Sequence, residues 1–281
     1  MSKTIIITGA SDGIGAAAAR QLVSDGHRVV MIGHDQTKTK KIAKELGADY
    51  FTVDYTRLSD VNQLADKLLT KYPKIDVLIN NAGGLFNRRR TETSDGHETT
   101  FQVNFLASYL LTRRLLDRLV ESHATVIFTS SIGHKLFGNL DLDDLELQRN
   151  YKSLRAYGNS KIMLILFARE LNRRYGKEGL ATATFHPGMI ATNIAHEPTD
   201  ALHSVYHTPL KYLWTRPASV GARTMIWLAE RKPGTDWPSG EYFVRKKVAK
   251  TSQQANDEKL AGEVWQKAED TLAQYLRNGE K

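Results

Sequence analysis

The chain has 281 residues and no cysteine, which excludes disulfides, thiol catalysis and cysteine metal ligation and fits a reducing compartment. A 41% hydrophobic share supplies the core of a globular protein. The net charge is +8. The basic residues are spread, with denser spots at Lys38 to Lys44, Arg88 to Arg90 and Arg245 to Lys250. No nucleic-acid-binding motif accompanies them, so they read as solvated surface with some pull on an anionic cofactor or substrate. The opening apolar run is too short for a signal peptide and nothing approaches a span of ~20 apolar residues, so a cytoplasmic protein is expected.

From the N-terminus, apolar runs alternate with segments of helical period. Thr4 to Thr8, Arg28 to Ile32, Tyr50 to Val53, Val77 to Asn80, Thr125 to Ser130 and Ala181 to Phe185 read as short, β-branched, buried strands. Ile14, Ala18 and Leu22 mark a helical stripe, as do Val61, Leu64, Ala65 and Leu68, and later Leu164, Ala168 and Leu171. This alternation predicts an α/β fold: one domain built on a doubly wound parallel sheet with helices on both faces. After the first strand comes Thr8-Gly-Ala-Ser-Asp-Gly-Ile-Gly15. Glycines at 9, 13 and 15 let the backbone turn tightly and approach a pyrophosphate, which the following helix N-terminus would attract.

Two segments break the rhythm. Residues 133–156 carry Asp141, Asp143, Asp144 and Glu146 among leucines, and residues 193–217 hold His196, His203, Tyr206, His207, Tyr212 and Trp214. Long insertions of this kind often serve as functional lids, and the second is taken as a substrate lobe. His203 and His207 have i, i+4 spacing but lack a partner ligand, so no metal site is expected. The chain closes with a helical tail over 252–281. Between the two insertions stands Tyr157-Gly-Asn-Ser-Lys161. Four residues apart, the phenol and the ammonium share one helix face. The positive charge favours the phenolate, which makes the pair a candidate general acid/base.

The glycine loop, Asn80-Asn-Ala-Gly83 after the fourth strand and Tyr157-x-x-x-Lys161 together resemble the short-chain dehydrogenase/reductase family, a Rossmann fold, over about Lys3 to Ala229. Thr93-Ser-Asp-Gly-His-Glu98, Gln102-Val-Asn-Phe105, His186-Pro-Gly188 and Gly240-Glu-Tyr-Phe243 are most similar to its retinol-dehydrogenase-like and WW-domain-oxidoreductase-like branch. The resemblance implies an oxidoreductase that moves hydride between a nicotinamide and an alcohol, aldehyde or ketone. Tyr157 would exchange the proton. Lys161 would bond the nicotinamide ribose and lower the tyrosine pKa. Ser131, favoured over Ser130, would hydrogen-bond the substrate oxygen, and Asn104 would anchor a proton-relaying water.

The resemblance also places Gly9, Ser11, Asp12, Gly13, Ile14 and Gly15 along the pyrophosphate and ribose. Asp54 would meet the adenine, Asn81, Ala82 and Gly83 would pack along the cofactor, and Pro187, Gly188, Ile190 and Thr192 would hold the nicotinamide end. An acid at the end of the second strand would select NAD. Gly33 and His34 stand there instead, with Lys38, Lys40 and Lys41 near enough to attract a 2′-phosphate, so NADP(H) is preferred. NAD(H) stays possible, because Asp35 lies where an NAD-selecting acid would be counted. Arg88 to Arg90 follow Asn-Ala-Gly near the substrate entry and could favour an anionic substrate. Relatives often form homo-oligomers through the helices that would here span about Asn104 to Arg118 and Tyr157 to Tyr175. A second reading, a nucleotide-binding regulatory protein that senses redox state, would keep the glycine loop and dispense with the acid/base residue; the intact Tyr157 and its companions argue against it.

Overall fold

The computed structural model describes residues 2–188 and 216–276. One eight-stranded sheet runs in the order β3-β2-β1-β4-β5-β6-β7-β8. Its strands are β1 (Thr4–Thr8), β2 (Arg28–Gly33), β3 (Asp49–Thr52), β4 (Val77–Asn80), β5 (Thr125–Thr129), β6 (Ala181–His186), β7 (Glu241–Val244) and β8 (Lys247–Val248). All pair in parallel except β8, which returns antiparallel on β7. The six strands expected from the sequence are present, with ends shifted by a residue. The shift at β5 leaves Ser130 just beyond the strand. β7 and β8 were not foreseen: β7 is a short run between Glu241 and the basic Arg245 to Lys247, and β8 has only two residues.

Side chains alternate across the sheet, so each strand feeds two cores. Ile6 faces one cluster, while Ile5 and Ile7 face the other. Helices α1 (Gly13–Ser24) and α2 (Gln36–Leu46) follow β1 and β2, and α3 (Leu58–Lys71) follows β3. The stripe of α1 packs with Ala222, Met225 and Leu228 of a later helix, Ala218–Glu230. On the opposite face, the stripe of α3 joins residues from three further segments. These are the helix–π-turn–helix Thr99–Phe101, Gln102–Leu106 and Ala107–Arg114, the one at Leu116–Glu121, and the long one at Ser153–Tyr175. In chain order these helices are α4 (Thr99–Phe101), α5 (Ala107–Arg114), α6 (Leu116–Glu121), α7 (Gly133–Leu136), α8 (Ser153–Tyr175), α9 (Ala218–Glu230), α10 (Glu258–Thr271) and α11 (Ala273–Leu276).

The expected helical tail is met by α10 and α11. Trp265 of α10 sits against Tyr109 of α5 and Phe167 of α8, with ring centroids at 5.5 and 5.6 Å. Helix α10 thus covers part of α5 and α8. Of residues 133–156, the first part folds as α7, a loop and a 3-10 turn at Leu142–Asp144, while Ser153 to Ala156 already form the first turn of α8, so the interruption ends before Ser153. Of the 193–217 lobe, only Arg216 and Pro217 fall within the described residues. The strand order reverses between β1 and β4, and in open α/β sheets ligands bind outside the carboxyl ends of the strands at such a point. The motif-bearing segments after β1, β4, β5 and β6 all begin at that edge.

Candidate active site

Tyr157 and Lys161 lie one turn apart near the start of α8, and the Lys161 ammonium stands 5.3 Å from the centre of the Tyr157 ring. Lys161 is 4% exposed. Its Nζ donates to the Thr129 carbonyl at 3.0 Å. Among the described residues no carboxylate pairs with it, and burial pulls its pKa down to about 8. An ammonium carries three donors, so hydrogens remain for hydroxyl acceptors.

The two serines divide their labour. Ser130 is buried and its Oγ donates to the Lys161 carbonyl at 3.0 Å, tying the end of β5 to α8. The Oγ of Ser131 accepts from the Gly133 amide at 3.1 Å, which leaves its own hydrogen to donate elsewhere. A Cβ placed on Gly133 would stand 3.0 Å from the Tyr157 ring and 3.5 Å from Ser131 Oγ, so phenol ring and hydroxyl meet over this glycine.

Asn104 is buried in the π-turn, an irregularity frequent at functional sites. Its side chain bonds Gly84 and also donates to Ser160 Oγ at 3.1 Å, while Ser160 Oγ donates to the Tyr157 carbonyl at 2.7 Å. A Cβ on Gly83 would lie 2.7 Å from Asn104 Oδ1 and 3.6 Å from Lys161 Nζ. Four residues scattered over fifty-odd positions of sequence therefore converge on one spot.

The nucleotide end is built on a polar staple. Thr8 Oγ1 accepts from the amides of Asn81 and Ala82, both at 2.9 Å. Asn81 Nδ2 donates to the Thr8 carbonyl at 2.9 Å, and Thr129 Oγ1 donates to Asn81 Oδ1 at 3.1 Å. The ends of β1, β4 and β5 are thereby locked together. Thr8 and Thr129 were not singled out from the sequence, although a hydroxyl residue closing an apolar strand is a visible signal. Gly9 takes the left-handed conformation (φ 64), and a Cβ on Gly15 would collide with the Gly9 carbonyl at 2.2 Å. These two glycines let the loop fold tightly against α1, whose first turn carries no acid. Asp12 caps the helix through Gly13 N at 2.7 Å. Ser11 is buried, and Ile14 packs in the core.

At the far end His34 is exposed. Asp35 is occupied: its carboxylate caps α2 by accepting from Lys38 N at 2.9 Å, which lowers its pKa. Asp54 accepts from the amide and the hydroxyl of Thr56 at 2.9 and 2.7 Å, a local turn that holds it at the loop after β3. Lys38, Lys40 and Lys41 are exposed on α2. Pro187 and Gly188 follow β6 at the same sheet edge, whereas Ile190, Thr192 and the lobe histidines lie outside the described residues.

The acidic insertion is held by specific bonds. Glu146 bonds His97 Nδ1 at 3.0 Å and accepts from Glu98 N at 2.8 Å. Arg90 is not a free cation at the entry: it pairs with Glu92 and lies 3.7 Å from Glu146. Arg88 and Arg89 remain at the exposed surface.

Residues 3–202 match the model of the short chain dehydrogenases. The chain belongs to this family. A protein of Streptomyces sp. (strain C5) named as a daunorubicin C-13 ketoreductase is 38% identical over 271 residues, covering 94% of this chain and 90% of that one. Human retinol dehydrogenase 13 is 32% identical over 275 residues, covering 94% and 82%. Among solved structures, an uncharacterized protein from Mycobacterium paratuberculosis superposes with a TM-score of 0.76 at 28% identity, covering 96% of this chain and 93% of that one. This short-chain dehydrogenase falls in the retinol-dehydrogenase-like branch and is an oxidoreductase of alcohol and carbonyl groups. No helix among the described residues is long and apolar enough to cross a membrane.

Proposed function

We propose that this dehydrogenase is a cytoplasmic NADP(H)-dependent enzyme in which Tyr157 acts as the general acid/base for an alcohol/carbonyl pair. The observation that carries this reading is the convergence of Tyr157, Ser131 and a buried Lys161 without a carboxylate partner among the described residues. The glycine cradle at α1 fits a pyrophosphate, and the remaining Lys161 donors fit ribose hydroxyls. When bound, the cofactor supplies the hydride. In reduction, Ser131 donates a hydrogen bond to the carbonyl oxygen as charge develops there, and Tyr157 delivers the proton to that oxygen. The Lys161 ammonium, facing the ring, stabilises the negative charge left on the phenol oxygen. In oxidation the same groups run in reverse. Gly9, Gly13, Ile14 and Gly15 would hold the pyrophosphate, Asn81 to Gly83 the floor beneath it, and Pro187 and Gly188 the nicotinamide side.

The preference for NADP(H) is supported by the exposed His34 and the exposed Lys38, Lys40 and Lys41 beyond β2, and by Asp35, one of whose carboxylate oxygens is engaged in capping α2. Oxidation of NADPH and of NADH should be followed under matched conditions with aldehydes, ketones and quinones, starting with carbonyl compounds related to daunorubicin and retinol. NADPH turnover that falls by about 100-fold or more in Tyr157→Phe supports the reading. Full activity in that variant removes Tyr157 from the chemistry, and equal or better turnover with NADH removes the cofactor preference.

A further inference from the structure

Behind the Ser131–Tyr157 pair lies a buried polar group that the reaction described so far does not use. His134, on α7, is fully buried, and its ring stands edge-on to Tyr242 of β7 with centroids 4.9 Å apart. His186 ends β6, the strand beside β7, and His134 and His186 act on each other electrostatically. Tyr242 is in turn under the influence of Tyr157. His134 Nε2, His186 Nδ1 and the Tyr242 hydroxyl are all buried with no hydrogen-bond partner among the described residues. A protein interior rarely tolerates one such orphan, still less a cluster of them.

The other nitrogen of His134 is committed. Nδ1 lies 2.5 Å from the Ser131 carbonyl, which also receives the His134 backbone amide at 3.2 Å. A carbonyl only accepts, so Nδ1 carries the hydrogen and Nε2 presents a lone pair. Burial pulls down the pKa of both histidines, that of His186 to about 4, so both rings are neutral near pH 7. Internal water is the ordinary partner of buried polar atoms left in this way: it can donate to a ring nitrogen and accept from a phenol hydroxyl.

We propose that His134 is a positioning residue for Ser131, clamping its peptide carbonyl while internal water at Nε2 holds the imidazole in the required tautomer. The inference rests on the reading of Ser131 as the donor to the substrate oxygen. Gly133 N fixes the serine hydroxyl and His134 fixes the serine carbonyl, so the residue is gripped at both ends opposite Tyr157.

The test is kinetic and spectroscopic, on the intact enzyme with NADPH and the best carbonyl substrate found. His134→Phe removes both the clamp and the water contact, and should lower kcat by about 10- to 100-fold with the NADPH KM within about twofold. His134→Asn restores an N–H in the place of Nδ1 and should recover kcat to within about fivefold of the parent. On a Ser131→Ala background His134→Phe should cost less than about twofold, because the two act as one unit. An unchanged kcat in His134→Phe, or an equal loss on both backgrounds, overturns the proposal while leaving the role of Ser131 standing. Full activity in Ser131→Ala sinks the role of Ser131 and this inference with it. Independently of any variant's folding, nitrogen-15 spectra of labelled histidine should show His134 as the Nδ1–H tautomer; the Nε2–H tautomer would overturn the clamp.

Discussion

Asn104 and Gly84 are bonded to each other in both directions: the Gly84 amide donates to Asn104 Oδ1 at 2.9 Å, and Asn104 Nδ2 donates to the Gly84 carbonyl at 2.9 Å. With the second Nδ2 hydrogen directed at Ser160, the donors of the carboxamide are fully used. The side chain of Asn104 thus spends its donors inside the protein and acts as a clamp between the 84 loop and α8. Asn104→Ala leaves a buried peptide unit unpaired and should cost about 1–3 kcal/mol. For a chain of this size that lowers the unfolding midpoint by several degrees, about 2–4 °C per kcal/mol. A midpoint equal to the parent's would show that the clamp contributes nothing.

Lys161 links the site to stability through pH. Its pKa in the folded protein is lowered to about 8 from 10.5 by burial. Between those values the unfolded chain holds the proton and the folded chain does not, so this group makes stability rise with pH across that window. Below about pH 8 the penalty of the buried charge is present in full. Lys161→Met removes it. The stability of the variant relative to the parent should then fall by about 1–3 kcal/mol between neutral pH and about pH 10. Denaturant melts of the cofactor-free protein at several pH values measure this, and parallel curves would refute it.

Cofactor choice can be shifted at one position and not at its neighbour. A Cβ on Gly33 would lie 2.2 Å from Thr39 Oγ1 and 3.0 Å from Ser11. Gly33→Asp should therefore damage the fold. His34 is exposed, so His34→Asp should be tolerated and, on the proposed placement of the cofactor, would put a carboxylate near the ribose. The KM for NADPH should rise by at least about tenfold, worth about 1.4 kcal/mol, while NADH improves. Unaltered cofactor ratios in a folded His34→Asp protein would place the discrimination elsewhere.

Glu146 fastens the 133–156 insertion to the 91–98 loop. The Glu146 carboxylate raises the His97 pKa, and His97 in turn helps to lower that of Glu146. The histidine's share of stability is complete below its ordinary pKa of 6.5 and fades as pH rises through its raised folded value. The glutamate's share is present above its ordinary value of 4.5 and fades as pH falls through its lowered one. The pair is strongest between those limits. Glu146→Gln should cost ~1 kcal/mol near pH 5.5 and less near pH 9, the value for a partly exposed ion pair. Equal losses at both pH values would show that the charge on His97 plays no part.

The sheet was legible because six of its strands are largely apolar and alternate with segments of helical period. β7 escaped because its run opens on Glu241 and passes directly into Arg245, Lys246 and Lys247, and β8 because it has only two residues. Tyr157, Lys161 and Ser131 could be put forward as candidates because they stand in short local motifs. What escaped were long-range partners. Thr8 and Thr129 reach Asn81 across 73 and 48 positions, and His134 meets Tyr242 only after β7 has joined the sheet. Asp35 shows a different case: counted from Gly15 it stands where an NAD-selecting acid would, and only the structure shows that one of its carboxylate oxygens also caps helix α2.

The staple around Asn81 has a bearing on how a cofactor is received. Its bonds are made entirely within the protein, between strands that are adjacent in the folded sheet. The floor of the cleft is therefore rigid before any nucleotide arrives, and association should leave it unmoved. Hydrogen exchange at the amides of Asn81 and Ala82 should accordingly be as slow without cofactor as with it.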